Sequence, residues 1–217
     1  MKRAFVFFAV AGMMGLLATP AAAADSGWNL RIFAAGHDTD LDVTVPAENP
    51  EFIDVSSDSD LGFGASIEYQ FSGLLGLELG IMKANPAIVL TAEDIPGYGD
   101  IVLTDSMSTT AISLDLNFHL TPNSEYFDFY LGGGIASMGY GDLHYTEPDG
   151  DSLDLDVSDD LGISAKAGLG ISLGKNSNWA AFGALRYIWT DLEVTQENSA
   201  TFDFDTLSFS VGIAVSF

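Results

Sequence analysis

Cysteine is missing altogether and basic residues are scarce, with 7 Lys and Arg against 31 Asp and Glu in 217 residues. Without cysteine there is no disulfide, no thiolate metal site and no cysteine nucleophile, so an oxidising compartment has nothing to act on. The shortage of positive charge removes nucleic acid as a partner, because phosphates need a cationic surface. Beyond residue 24 no apolar run is long enough for a membrane helix, and helical spacing of 3.6 residues does not recur. No Gly-x-Ser-x-Gly elbow, His-Glu-x-x-His pair or phosphate-binding glycine loop appears there either. What is present is 47% hydrophobic and 12% aromatic, which argues for a fold despite the acidity.

The first 24 residues read as a cleaved signal peptide. Lys2 and Arg3 head an apolar and small-residue run over 4–18, Pro20 breaks it, and Ala22-Ala23-Ala24 supplies the small residues of a cleavage site. The run is shorter than the about 20 residues of a spanning helix. Residues 25–217 then form one domain, with five basic residues against 31 acidic, a net charge of −26.

That domain alternates with period two, the spacing of β-strands. Leu61, Phe63, Ala65, Ile67, Tyr69 and Phe71 share one face, with Gly62, Gly64, Ser66, Glu68 and Gln70 on the other. Residues 110–120 and 161–173 repeat the pattern, and less regular strands are expected at 28–37, 75–84, 126–140, 179–191 and 204–217. Links at 72–74, 121–125 and 174–178 are short, whereas those at 38–60, 85–109, 141–158 and 192–203 are long. Strict alternation of short and long links predicts an all-β, eight-stranded antiparallel up-and-down transmembrane barrel, with tight periplasmic turns and long extracellular loops. Both termini are then periplasmic, in the outer membrane of a Gram-negative cell.

The charges fit that sidedness. Asp and Glu concentrate in the long links, and the apolar faces are nearly free of charge, Lys83 being the main exception. A soluble sandwich would turn its polar faces to water. Here Gly, Ser and scattered charges make a poor core, so the apolar face points outward, and closure removes the edges that hydrocarbon cannot tolerate. Trp28, Tyr69, Phe71, Phe118, Phe127 and Trp179 fall at one level, and Tyr187 and Trp189 at another, as interfacial girdles do. The last strand alternates Phe209, Val211, Ile213, Val215 and Phe217 with small residues. Ending on Phe217, it is similar to the terminal signal read by the barrel-assembly machinery.

Inward positions carry Arg31, Glu68, Glu78, Asp115, His119, Asp128, Lys166 and Arg186 among many glycines. Opposite charges in a narrow interior must pair, since an isolated buried charge costs several kcal/mol, so bracing of the barrel is the first reading. Phe33, Met82, Tyr130 and Phe182 either fold across the glycines or leave room for a small ligand. With the charged set they form the candidate ligand path. Catalysis is not expected. Ser113, Asp115 and His119 lie on one strand, with Ser113 and His119 roughly 20 Å apart at the strand rise. His37 and His144 fall at the rim beside aspartates and read as solvated loop residues. Asp149, Asp151, Asp154 and Asp156 invite a calcium reading but lack the spacing and closing Glu of an EF-hand loop. They read as a solvated acidic loop, with divalent cations shared with lipopolysaccharide as a weaker idea. No cofactor is expected.

Several segments together resemble the OmpW family: Glu93-Asp94-Ile95-Pro96-Gly97, Ser113-Leu114-Asp115-Leu116-Asn117-Phe118, and Phe129-Tyr130-Leu131-Gly132-Gly133-Gly134-Ile135. Residues 160–168, Asn178-Trp179 and Arg186-Tyr187 continue the likeness toward the closing strand. OmpA-like and opacity-type eight-stranded barrels share the glycine-rich strand. The OmpW resemblance implies a narrow barrel giving small hydrophobic molecules a passive route, and some members are bacteriocin receptors. The alternative is a structural or adhesive surface barrel displaying acidic loops. Expected partners are outer-membrane lipids and lipopolysaccharide, the barrel-assembly machinery and small hydrophobic solutes.

Overall fold

The computed structural model describes residues 27–46, 52–95, 99–121, 124, 126–146, 152–175, 177–195 and 199–217; the expected signal segment lies outside them. The period-two segments form the eight strands of one closed barrel: β1 (Gly27–Asp40), β4 (Asp60–Ser72), β5 (Leu75–Ala84), β8 (Thr109–His119), β9 (Phe127–Tyr140), β12 (Asp160–Ser172), β13 (Trp179–Trp189) and β16 (Asp205–Ser216). Each strand pairs antiparallel with its neighbours around the ring, in the order β1-β16-β13-β12-β9-β8-β5-β4. The chain ends close it: Trp28 and Phe217 exchange backbone N–H to C=O bonds in both directions, at 3.0 Å each.

Burial is inverted relative to a soluble fold. On β5, Leu77, Leu79 and Ile81 are about half exposed, whereas Gly76, Glu78, Gly80 and Met82 are buried. Leu, Ile, Val and Phe side chains continue this belt around the outside, and only hydrocarbon accommodates such a surface. Trp28 and Tyr69 pack at 4.8 Å at the short-turn end, and Tyr187 and Trp189 at 4.8 Å toward the other, the two levels expected of girdles.

The long links are not loops along most of their described length. They form β2 (Asp42–Pro46), β3 (Phe52–Ser57), β6 (Ala87–Ile95), β7 (Gly99–Ser106), β10 (Leu143–Thr146), β11 (Ser152–Ser158), β14 (Asp191–Thr195) and β15 (Ser199–Asp203). These build two four-stranded sheets, β2-β3-β6-β7 and β10-β11-β14-β15, standing above the barrel as a head. The reason lies in their own alternation. On β11 Leu155 and Val157 turn inward and Asp154 and Asp156 outward; on β6 and β7 an Ile-Val-Leu-Thr run occurs twice and pairs Leu90 with Leu103. Leu41, Ile88, Met107, Leu143, Tyr145 and Phe204 join an apolar core that runs down into the barrel mouth through Met138, Ala111 and Met82. Phe204, expected to open the last strand, is instead fully buried in that core.

Candidate functional site

The interior below the apolar core is charged, and the register explains its layout. Glu68 on β4 stands directly opposite Glu78 on β5, and Glu78 opposite Asp115 on β8, so three carboxylates line one wall. Like charges directly opposite destabilise a ladder unless something neutralises them. Three cations reach in to meet them: Arg31 from the neighbouring strand β1, and Lys166 on β12 and Arg186 on β13 from across the ring.

Arg31 donates from Nη2 to Glu68 Oε2 at 2.6 Å and from Nη1 to Glu78. Lys166 Nζ lies 2.8 Å from Glu78 Oε1 and 3.3 Å from Asp115 Oδ2. Arg186 donates from Nη2 to Asp115 Oδ2 at 2.7 Å and from Nη1 to Ser113 Oγ. Asn117 Nδ2 bridges Glu68 and Glu78 at 2.8 and 2.9 Å, and Ser164 donates to Asp115. At the short-turn end His119 stands between Glu68, 2.9 Å from Nε2, and Asp128, 2.8 Å from Nδ1. Only a doubly protonated ring donates to both carboxylates. Four carboxylates then meet four cations, the pairing that burial of such charges demands.

Beside and above the paired charges the bulky inward side chains fold across the glycines. Phe33 covers Gly64 and Tyr130 covers Gly168, and a Cβ at either glycine would collide with the ring. Phe33 meets Phe182 edge-on at 6.1 Å, and the Arg31 guanidinium lies 5.1 Å from the Tyr130 ring centre and 5.8 Å from that of Phe182. An interior void of about 30 Å³ is left among these side chains, room for about two waters.

The structure turns all the inward residues named from sequence into the lumen and divides them. Arg31, Glu68, Glu78, Asp115, His119, Asp128, Lys166 and Arg186 form one ion-paired layer; Phe33, Met82, Tyr130 and Phe182 lie against it. Ser113, Asp115 and His119 are each engaged elsewhere, on Arg186, on Lys166 with Arg186, and on Glu68 with Asp128. Asn117, on the same inward face two residues after Asp115 but not among the candidate site residues, joins the layer between Glu68 and Glu78.

At the head, His144 is exposed as expected and lies 2.8 Å from Asp154 Oδ1. That hydrogen bond, helped by the nearby charges of Asp105 and Asp142, raises its pKa above the usual histidine range. His37 departs from expectation. It is 2% exposed, because its place on β1 turns it inward opposite Asp60 and Ser208. Of the proposed calcium ligands, Asp149 and Asp151 lie outside the described residues, while Asp154 binds His144 and Asp156 is exposed. Among the described residues no group of three His, Cys, Asp or Glu is arranged to hold a metal.

Comparison with known proteins agrees with this architecture. The Pseudomonas aeruginosa outer membrane protein OprG is 16% identical, over 91% of this chain and 98% of its own, with a TM-score of 0.59. AlkL, solved in lipid bilayers, is 21% identical over 92% and 94%, with a TM-score of 0.58, and Neisserial surface protein A is 11% identical over 89% and 100%, with a TM-score of 0.54. At these identities the likeness is one of fold. The first two are OmpW-like barrels, in keeping with the resemblance in the sequence. No curated protein matches the chain. Residues 8–217 match the outer membrane protein beta-barrel domain, and the chain belongs to that family of outer-membrane barrels.

Proposed function

We propose that the barrel gives small hydrophobic molecules a route into the outer membrane, with the head outside the cell and the short turns in the periplasm. The observation that carries this reading is the layering of the interior. The half beneath the head is lined by Phe33, Met82, Ala111 and Met138, and the interior below is filled by paired charges, with Phe182 packed among them. Ions and water find no free passage through the paired layer. An apolar solute can enter the upper half by displacing methionine and phenylalanine side chains, and methionine is the most adaptable of these.

A sideways exit is consistent with the wall. An apolar depression of about 610 Å³ on the outer surface, flanked by Leu169, Leu185 and Val211, shares Phe182 and Ala184 with the interior void. Gly183 faces the depression without a side chain.

A second reading, a closed barrel that only displays an acidic head, is favoured by the interior void being so small, about 30 Å³. Uptake separates the two. A deletion strain complemented with this chain should accumulate an apolar solute faster than one carrying Phe182→Trp, which fills the void. Equal uptake with and without the chain rejects the route and leaves display.

A further inference from the structure

The interior void lies where the two layers meet, and its lining is two-sided. Phe33, Met82 and Phe182 give it an apolar side, and Arg31, Glu78, Lys166, Arg186 and four serines a polar one. Ser113 and Ser210 already have partners, on Arg186 and on the Ala184 carbonyl. Ser66 differs. It is 5% exposed, and its Oγ is buried without a hydrogen-bond partner. A hydroxyl left so costs about 1–3 kcal/mol in desolvation, which a group that accepts its proton would recover.

Resting on the reading of a hydrophobic route, we propose that this void is the head-group subsite for an uncharged amphiphile. Such a solute has a short apolar body with one oxygen function, an alcohol, ketone or ester. Its oxygen accepts from Ser66 Oγ–H, and its chain lies along Phe33, Met82 and Phe182. Charge matching selects against an acid. Glu68, Glu78, Asp115 and Asp128 already balance Arg31, Lys166, Arg186 and a protonated His119, so a carboxylate would add a fifth anion with no cation left to meet it. A pure alkane fits the apolar side but leaves Ser66 unsatisfied.

The full chain in lipid nanodiscs can be titrated with hexan-1-ol, hexane and sodium hexanoate, following the backbone amide resonances of Ser66, Gly80 and Ser113. Hexan-1-ol is expected to bind about five-fold tighter than hexane, the worth of one hydrogen bond, and Ser66→Ala is expected to abolish that difference without weakening hexane. Hexanoate should bind no better than hexane. Equal affinities for hexan-1-ol and hexane, or an unchanged preference in Ser66→Ala, overturn the subsite while leaving the route standing. Tighter binding of hexanoate overturns the choice of an uncharged head. If none of the three perturbs the interior amides, the route itself fails.

Discussion

The barrel interior and the head treat the same residue type in opposite ways. Inside, Glu68, Glu78 and Asp115 stand in a row, each with a cation within hydrogen-bond distance. In the head, carboxylates also face one another across the ladder, Asp191 opposite Asp203 and, at its base, Asp40 opposite Asp205, yet the links that build it contain no Lys or Arg. Water makes the difference. In a dry interior an unmatched charge is ruinous, so the cations are placed there. On a wet surface like charges repel only weakly and salt screens them, so the head can remain acidic and be held by its apolar core. Most of the scarce positive charge is thus placed where solvent cannot substitute for it: three of the five basic residues beyond residue 24 are in the lumen.

The sharpest way to break this contrast is to remove one member of the buried row. Glu78→Ala leaves Arg31 and Lys166 each short of a carboxylate, and the expected loss is about 3–5 kcal/mol in urea unfolding from detergent. Asp156→Ala on the exposed face of β11 should leave the same curve unmoved. Next in size is packing over the glycines. Gly168→Val drives a side chain into the Tyr130 ring and should cost about 1–3 kcal/mol, with Tyr130→Ala restoring part of it.

Salt should act on the head and spare the lumen. Shortening the Debye length from about 10 Å at 0.1 M to about 3 Å at 1 M should slow amide exchange on β11 and β14, with no change on β5. The smallest effect concerns His144. Its pKa is raised in the fold, so its contact with Asp154 contributes fully below the unfolded value and is lost as pH rises through the folded one. An NMR titration should place its midpoint above that of an unfolded-peptide histidine, and Asp154→Asn should bring it back down.

The sequence made the barrel legible because an outward belt needs strict alternation, and Phe63, Leu79, Ile112 and Leu169 keep to it. Inward direction was legible for the same reason, since a residue's parity on a strand sets its face. Partner choice was not. Whether Arg31 meets Glu78 depends on the stagger of strands around the ring, which no single segment carries. The head strands were obscured by composition. Asp154 and Asp156 drew the eye to metal chemistry, while the alternate Leu153, Leu155 and Val157 were the strand signal. His37 read as a rim residue because its acidic neighbours suggested solvent, whereas its parity put it inside.

Planar-bilayer recording on the purified full chain tests the central claim, an interior closed to ions by paired charges, most directly. In molar potassium chloride at neutral pH the account predicts a silent wild type, with current steps appearing only when the pairs are broken, as in Glu78→Ala. Stable open steps in the wild type would contradict it.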